Sequence, residues 1–176
     1  MAINDALRRA KPLKLMIFDV DGVMTDGTLY FSARGEELKA FNIQDGLGIK
    51  LLRQSGVEVA IVSGRSSRAV ALRAANLGIA HVFQGVEDKR AAYATLQKRL
   101  RVSDAQAGCM GDDLPDLPLM IRCGFAASVP AAPKSVRGRA HYVSRAQGGR
   151  GAVREVCELI LRAQGTLKRA IDGHLA

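Results

Sequence analysis

Tryptophan is absent from this sequence, and phenylalanine and tyrosine bring the aromatic content to only 5%. Proteins that bind single-stranded nucleic acid stack the bases on aromatic side chains, so the composition offers little support for such a surface. Lysine and arginine number 26 against 17 aspartates and glutamates, which gives a formal charge of +9. This excess indicates either an anionic partner or a basic surface that keeps the protein soluble. Because aromatics are scarce, a small anionic ligand is favoured over a nucleic acid.

Cysteines and long apolar runs are also scarce. Cys109, Cys123 and Cys157 are an odd number without Cys-x-x-Cys spacing, a pattern typical of reduced thiols in a cytoplasmic protein. No run of eighteen apolar residues occurs, so no membrane span is expected. Residues 1–14 lack the apolar core of a signal peptide and are predicted to be a frayed amphipathic lead-in. The length of 176 residues fits one domain, 1–176.

Strand-like and helix-like segments alternate along the rest of the chain. Apolar runs predict strands at 15–18, 57–62, 80–84, 107–110, 125–129 and 141–143. Helical spacing predicts helices at 43–56, from a cap at 66 or 67 to 76, at 88–100, at 114–123 and at 150–164. Such alternation predicts an α/β fold with a mostly parallel sheet and right-handed crossovers. The tail at 165–176 has a weak helical pattern and is expected to be mobile.

A hairpin is predicted at about 27–42, because two short apolar pieces flank a polar turn that contains Gly35. A two-stranded hairpin is marginal alone and must pack on another surface. Its apolar side chains would be exposed in a monomer, which predicts a subunit interface. These side chains are Leu29, Tyr30, Phe31 and Phe41.

Two aspartates stand at the end of the first apolar run. Side chains alternate along a strand, so Asp19 and Asp21 can leave it on the same side, and Gly22 permits a turn there. Two neighbouring carboxylates repel each other, and a divalent metal that prefers oxygen ligands would hold them together. A calcium- or sulfate-binding turn, or a pair of helix-capping aspartates, would also fit this short segment.

Further polar residues follow other predicted strands. Ser63 follows the second strand, and Asp112 and Asp113 follow the fourth. Ligands of parallel α/β sheets bind beyond the carboxyl ends of the strands, where the strand order switches. We therefore expect these residues to meet Asp19 and Asp21 at one edge of the sheet.

Four segments together resemble the haloacid dehalogenase-like (HAD) phosphatases. Residues 18–23, Phe-Asp-Val-Asp-Gly-Val, resemble the first motif, and residues 111–116, Gly-Asp-Asp-Leu-Pro-Asp, resemble the fourth. Ser63 resembles the second motif and Lys89 the third. The resemblance implies a Rossmann-like three-layer sandwich and a phosphatase that uses Mg²⁺.

The resemblance also implies roles for the first aspartates. Asp19 would attack phosphorus and form an aspartyl-phosphate. Asp21 would protonate the leaving alkoxide and then activate water, and its backbone carbonyl would ligate the metal. Service as a metal ligand alone is the alternative for Asp21.

The other motifs would supply the phosphate and metal contacts. Ser63 and the amide of Gly64 would bind phosphoryl oxygens, although Ser-Gly-Arg is also an ordinary helix entry. Lys89 would neutralise charge beside Asp19, or it is a solvated lysine in a charged run. Asp112 would ligate Mg²⁺. Asp113 and Asp116 would support the metal without ligating it directly, or they would hold Lys89.

The segment between the first two motifs holds only the hairpin, one helix and one strand, so no large cap domain is expected. Phosphatases of macromolecular ends and tetrameric phosphatases of sugar-acid phosphates share this short length. Residues 19–27, 41–50, 111–118 and 148–157 resemble the second group, specifically phosphatases of 3-deoxy-D-manno-octulosonate 8-phosphate (KDO 8-phosphate), which serve lipopolysaccharide synthesis. The resemblance implies a homotetramer with the hairpin at the interface.

Three arginines are implied as substrate contacts. Arg65 would bind the sugar-acid carboxylate in bidentate fashion, Arg73 would reach a neighbouring subunit's site, and Arg150 belongs to a Gly-Gly-Arg-Gly segment that could cradle an anion. A solvated helix face is the alternative for Arg65 and Arg73, and a flexible hinge is the alternative around Arg150. Alternative functions are a phosphatase of a nonulosonate 9-phosphate or of nucleic-acid ends, and a non-catalytic oligomerising domain.

Overall fold

The computed structural model describes residues 3–175, so Met1 and Ala2 of the predicted lead-in and Ala176 of the tail lie outside the described residues. Six strands form the main sheet: β1 (Leu15–Phe18), β4 (Glu58–Val62), β5 (His81–Phe83), β6 (Ala107–Met110), β7 (Phe125–Ser128) and β8 (Tyr142–Val143). The remaining two, β2 (Tyr30–Phe31) and β3 (Glu37–Leu38), pair as the predicted antiparallel hairpin.

The main sheet is parallel throughout, in the order β5-β4-β1-β6-β7-β8. All four residues of β1 are buried, as expected for a strand covered on both faces. In the register, Phe18 pairs with Ile61 of β4 and with Met110 of β6. The carboxyl ends of the three central strands therefore lie level, and the residues that follow them converge. The predicted α/β fold with a parallel sheet is confirmed.

Eight α-helices surround the sheet in the described part of the chain. They are α1 (Ile3–Ala10), α2 (Ile43–Gln54), α3 (Arg68–Leu77), α4 (Lys89–Leu100), α5 (Leu117–Met120), α6 (Lys134–Arg137), α7 (Ala152–Ala163) and α8 (Leu167–Asp172). The helix predicted at 114–123 is split into a 3-10 turn at Leu114–Asp116 and the short α5. Helix α7 begins two residues later than predicted, because Gly149 and Gly151 adopt left-handed φ values of 63° and 106°.

The N-terminal segment is not the frayed lead-in that the sequence predicted. It forms α1, whose Ala6 and Ala10 are fully buried, and α1 packs against α7. The small alanine side chains allow this close approach, and the apolar face of α7 provides the surface. Helix α7 packs in turn against α2 and α8. Of the helices in the range 3–175, none is both long and apolar enough to cross a membrane.

The hairpin presents most of its apolar side chains to solvent. Leu29, Tyr30 and Phe31 are 40%, 47% and 60% exposed. Phe41 departs from the prediction because it is half-buried, with the guanidinium of Arg73 5.8 Å from its ring centroid. The exposed apolar surface of the hairpin thus consists of these three side chains together with Leu38 of β3, which pairs with Tyr30 and is 58% exposed.

Candidate active site

A cleft of about 310 Å³ opens at the carboxyl ends of the central strands. Its lining consists of Asp19, Asp21, Gly27, Ser63, Gly64, Arg65, Lys89, Asp112, Asp113, Pro115 and Asp116. The structure therefore brings together nine of the eleven predicted site residues. Arg73 and Arg150 are the two that lie outside this lining.

Asp19 and Lys89 form the centre of the cleft. Asp19 directly follows β1, and its amide donates to the Met110 carbonyl at 3.0 Å, which ties it to the neighbouring strand β6. Lys89 is the first residue of α4, and its side chain is only 4% exposed. The ammonium of Lys89 donates to Asp19 Oδ1 and to Asp116 Oδ1, at 2.6 Å each. Lys89 is therefore a buried lysine paired with two carboxylates, and the alternative prediction of a solvated lysine is wrong.

Asp116 is held at several points. Its Oδ1 accepts from Lys89, and its Oδ2 accepts from the amides of Asp112 and Asp113 at 3.0 and 3.2 Å. Both oxygens are therefore engaged by protein donors. This carboxylate fixes the position of the Lys89 ammonium, one of the two uses that the sequence suggested for it.

Three carboxylates share the cleft floor. Oxygen atoms of Asp19, Asp112 and Asp116 all lie within 4.8 Å of one another. Burial, with the charge of Asp116, raises the pKa of Asp19 to about 6 in spite of Lys89. Burial, with the charges of Asp19 and Asp116, raises the pKa of Asp112 to about 7. Burial alone would lower the pKa of Lys89, but the carboxylates outweigh burial and raise it.

This cluster fits a divalent cation. One ammonium compensates three carboxylates, so full ionisation of the cluster leaves an excess of negative charge. Oxygen-only ligands suit Mg²⁺, which keeps several waters and takes few carboxylates. With Asp116 engaged by donors, Asp19 and Asp112 are the side chains that could hold the metal.

Gly22 makes the approach of Asp112 possible. A Cβ at Gly22 would lie 2.0 Å from Asp112 Oδ2, and Gly22 has a left-handed φ of 85°. Both conditions select glycine. The turn after β1 and the loop after β6 are thus pressed together across the cleft.

Asp21 is turned towards the hairpin. Its Oδ1 accepts from the ammonium of Lys39, whose side chain is 1% exposed. Arg65 Nε lies 3.8 Å from the other oxygen, Oδ2. The side chain of Asp21 therefore stands apart from the carboxylate cluster, and a metal contact through its backbone carbonyl stays a prediction.

Two charged residues of the hairpin, Lys39 and Glu37, also belong to this part of the site, although the sequence alone did not identify them. Arg65 Nη2 donates to Glu37 Oε2 at 2.6 Å, and this bond is the main reason that the pKa of Glu37 falls to about 2. Lys39 lies 3.3 Å from Glu37 Oε1. Strand alternation could have suggested this pair, because residues 37 and 39 point to one side of the hairpin while Leu38, between them, is 58% exposed on the other.

The second motif lies at the cleft wall. Ser63 follows β4 and is 3% exposed, and its Oγ accepts from the amide of Arg65 at 3.3 Å. Asp113 is exposed, and its side chain accepts from the Leu114 amide at 2.8 Å, where it caps the 3-10 turn. Asp113 therefore borders the cleft without contacting the carboxylate cluster through its side chain.

The two remaining arginines contact other parts of the chain. Arg73 Nη2 donates to the Asn42 carbonyl at 3.0 Å, at the base of the hairpin. Arg150 Nη2 lies 3.5 Å from Asp26 Oδ2 and is largely exposed. Arg150 lines a second cleft beside the first, and Asp112 borders both.

Comparison with known proteins gives relatives that span nearly the whole chain. No protein-family model matches it. The chain is 48% identical, over 95% of its length, to 3-deoxy-D-manno-octulosonate 8-phosphate phosphatase KdsC of Yersinia pestis, of which it covers 89%. A HAD superfamily (subfamily III A) hydrolase from Legionella pneumophila has a TM-score of 0.95 at 45% identity, with 98% of this chain and 95% of that chain covered.

A third relative was solved with ligands. The 3-deoxy-D-manno-octulosonate 8-phosphate phosphatase of Moraxella catarrhalis, in complex with magnesium ion, phosphate ion and KDO, has a TM-score of 0.96 at 44% identity. The match covers 98% of this chain and 99% of that chain. Together with the shared HAD architecture and the carboxylate cluster, these similarities show that the chain belongs to the KDO 8-phosphate phosphatase family of the HAD superfamily.

Proposed function

We propose that this protein is a magnesium-dependent phosphomonoesterase that hydrolyses KDO 8-phosphate to KDO and inorganic phosphate, in lipopolysaccharide precursor synthesis. The observation that carries the proposal is the buried Lys89 ammonium, which bridges Asp19 and Asp116 beside Asp112 in one cleft. The magnesium, phosphate and KDO in the Moraxella catarrhalis relative support the same ligands here.

Asp19 is the proposed nucleophile. A carboxylate oxygen of Asp19 attacks phosphorus, the bond from phosphorus to the ester oxygen breaks, and its electron pair leaves with that oxygen. The product is an aspartyl-phosphate. Lys89, which Asp116 holds in place, keeps a positive charge beside the attacking carboxylate and offsets the charge of the phosphoryl oxygens. Asp19, Asp112 and the backbone carbonyl of Asp21 would hold magnesium, which would supply the further positive charge that lets two anions meet.

Asp21 is the proposed general acid and base. As the ester bond breaks, a proton on the Asp21 carboxyl passes to the departing sugar oxygen. The carboxylate then takes a proton from the water that attacks the aspartyl-phosphate, which restores Asp19 and releases phosphate. Ser63 Oγ–H and the amide of Gly64 line the same cleft and would donate to phosphoryl oxygens.

The proposed substrate contacts beyond the phosphate are the three arginines. Arg65 lines the cleft and would meet the sugar-acid carboxylate, although it would have to share its guanidinium with Glu37, which it already contacts at 2.6 Å. Arg150 borders the adjoining cleft. For Arg73 we keep the proposal that it serves a neighbouring subunit's site. Asp113, at the rim, would act on the metal through water.

The proposed assembly is a homotetramer of one-domain subunits, 1–176, with the hairpin at the interface. The exposed Leu29, Tyr30 and Phe31 support it, because an apolar surface of this kind is normally covered. Three free, buried cysteines support a reducing cytoplasmic location. Elution as a monomer at micromolar concentration in size-exclusion chromatography would count against the tetramer.

The substrate is tested by phosphate release with Mg²⁺ from three compounds: KDO 8-phosphate, a nonulosonate 9-phosphate and a 5′-phosphorylated oligonucleotide. We expect the highest kcat/KM with KDO 8-phosphate. A higher value with the nonulosonate ester or with the oligonucleotide would overturn the substrate assignment while leaving the reaction type intact.

The nucleophile is tested by Asp19→Asn. This variant removes the attacking oxygen's charge and is expected to abolish turnover of every phosphate ester. The matched control is Asp172→Asn, which makes the same chemical change on the exposed face of α8 and should keep full activity. Retained turnover by Asp19→Asn would contradict the mechanism.

A further inference from the structure

We propose that Lys39, carried by the hairpin, is a positioning residue of the reaction: it holds Asp21 in the orientation for proton transfer and makes that orientation depend on hairpin closure. The inference rests on the proposed function, because it concerns the role of Asp21 in ester cleavage. Neither the family motifs nor the sequence pattern assigns a role to Lys39.

The burial of Lys39 is the first observation. Its side chain is 1% exposed, although it belongs to a hairpin whose neighbouring Leu38 and Phe31 are 58% and 60% exposed. A lysine normally keeps its ammonium in water, and a buried one requires paired anions. The anions here are Asp21 and Glu37. The ammonium is thus turned inward onto the active site while the apolar side chains face outward.

The arrangement of charges is the second observation. Two carboxylates, Asp21 and Glu37, alternate with two cations, Lys39 and Arg65, around a closed four-membered cluster. The cluster joins the end of β1, the hairpin and the loop after β4. Within residues 3–175, every ion pair that links the hairpin segment 28–42 to the rest of the chain belongs to this cluster. Loss of Lys39 would therefore release the hairpin on the side of Asp21.

The two oxygens of Asp21 are in different surroundings, which is the third observation. Oδ1 accepts from Lys39. Oδ2 has no hydrogen-bond donor among the described residues, because Arg65 Nε at 3.8 Å is too distant. The hydrogen bond to Oδ1 restrains the carboxyl group, whereas Oδ2 accepts no hydrogen bond from the described residues and has only the longer ion-pair contact with Arg65. Oδ2 is therefore the atom that would deliver the proton to the ester oxygen and later take it from water.

If Lys39 positions the general acid, the rate loss caused by its substitution should depend on the leaving group of the substrate. An alkoxide such as that of the sugar must be protonated as it departs, whereas p-nitrophenolate leaves without a proton. Misplacement of the general acid should therefore slow alkyl-phosphate hydrolysis much more than p-nitrophenyl phosphate hydrolysis. General acid catalysis typically contributes about 10²–10⁴-fold, and partial misplacement should remove part of that factor.

The experiment compares Lys39→Met, Lys39→Arg and Arg34→Met in the full-length protein with Mg²⁺. Arg34→Met is the matched control, since it removes one cation from the same hairpin at its exposed turn, where the side chain makes no ion pair with the described residues. The alkyl substrate is KDO 8-phosphate or, should the wild type prefer another ester, whichever alkyl phosphate it hydrolyses fastest. Hydrogen–deuterium exchange of residues 28–42 is measured on the same samples.

We expect Lys39→Met to lower kcat on the alkyl phosphate by roughly 10- to 100-fold and to change kcat on p-nitrophenyl phosphate less than about 3-fold. Exchange in the hairpin should rise, Lys39→Arg should restore part of kcat, and Arg34→Met should match the wild type. In an Asp21→Asn background, Lys39→Met should lower kcat on the alkyl phosphate only slightly further, because Asp21 and Lys39 act through the same proton transfer.

The proposed role of Lys39 would be overturned if Lys39→Met lowered kcat equally on both esters. It would also be overturned if kcat and hydrogen–deuterium exchange of the hairpin were unchanged. Additive losses with Asp21→Asn would overturn it as well. These results are separate from a failure of the proposed function, which would appear as a wild type that does not hydrolyse phosphate esters. A wild type that prefers a different alkyl phosphate would change the substrate and still allow the Lys39 test.

Discussion

The carboxylate cluster predicts an unusual dependence of stability on pH and metal. In the metal-free protein, burial and the charge of Asp116 raise the pKa of Asp19 from 3.8 to about 6, and burial and the charges of Asp19 and Asp116 raise that of Asp112 from 3.8 to about 7. Below pH 3.8 both groups are protonated in the folded and the unfolded chain. Above it the unfolded chain loses these protons first, so the folded state binds more protons. Stability should therefore fall as the pH rises from 4 to about 7, and it should stay low above that range.

The magnitude follows from the pKa values. At 1.36 kcal/mol per pH unit, the change at Asp19 corresponds to about 3 kcal/mol and that at Asp112 to about 4 kcal/mol. The two values are not simply additive, because the charge of Asp19 contributes to the shift of Asp112 and both groups interact with Asp116 and Lys89, so we expect about 3–5 kcal/mol for the pair. For a chain of this size, 1 kcal/mol moves Tm by about 2–4 °C. Mg²⁺ bound by ionised carboxylates should remove this penalty, so its stabilising effect should grow between pH 5 and pH 8.

The assay is thermal unfolding at pH 5 and pH 8, with EDTA or with excess Mg²⁺. Asp112→Asn should raise the Tm of the metal-free protein at pH 8 by about 6–12 °C, because it removes one of the repelling charges, and it should abolish the response to Mg²⁺. Asp172→Asn, on the exposed face of α8, controls for general loss of a negative charge. A metal-free Asp112→Asn protein that is no more stable than the wild type at pH 8 would refute the reasoning. An equal Mg²⁺ effect at both pH values would refute it too.

Three further substitutions test two residues of the site and one helix contact outside it. Lys89→Met should lower kcat by about 10²-fold or more, because the charge beside Asp19, the proposed nucleophile, is lost; steady-state kinetics with less than a tenfold loss would remove Lys89 from the proposed mechanism. Gly22→Ala should cost about 1–3 kcal/mol, since it puts a Cβ at a φ of 85° and 2.0 Å from Asp112 Oδ2, and calorimetry should show weaker Mg²⁺ binding; unchanged affinity would contradict the packing. Asp45→Ala should cost about 1–2 kcal/mol in urea unfolding, because the buried carboxylate accepts from the amide of Arg154 at 2.8 Å in the first turn of α7; a neutral effect would show that this cap does not stabilise the fold.

The residues that follow buried strands are the part of the site that the sequence predicts best. Asp19, Ser63 and Asp112 each come directly after, or one residue after, an apolar run, and the level ends of β1, β4 and β6 bring them together. Strand length and parallel order are enough to place these residues, and short apolar runs between helices reveal both. They also place Asp21 at this edge of the sheet, but not the direction in which its side chain turns.

Some residues have roles that depend on how separate elements approach each other, and the sequence did not reveal these roles. Lys39 looks like an ordinary hairpin cation until the hairpin folds over Asp21, and no local pattern indicates that approach. The helical N-terminus was missed for a related reason, since Ala6 and Ala10 are weak hydrophobic signals and become informative only when α7 lies against them. Small or charged residues whose role depends on a distant surface are therefore the ones that periodicity alone misjudges.

The net charge of the chain is a poor guide to the charge of its active site. The chain carries a formal charge of +9, yet the cleft is lined by five carboxylates and only two cationic side chains, Arg65 and Lys89. Arg65 is already paired with Glu37, and Lys89 with Asp19 and Asp116. A phosphate dianion would therefore meet a negative cleft without the metal, and surface charges beyond a Debye length of about 8 Å are screened at physiological salt. The basic surface can raise the local concentration of an anionic substrate, but its binding beside Asp19 has to be coupled to the cation that Asp19 and Asp112 are placed to hold.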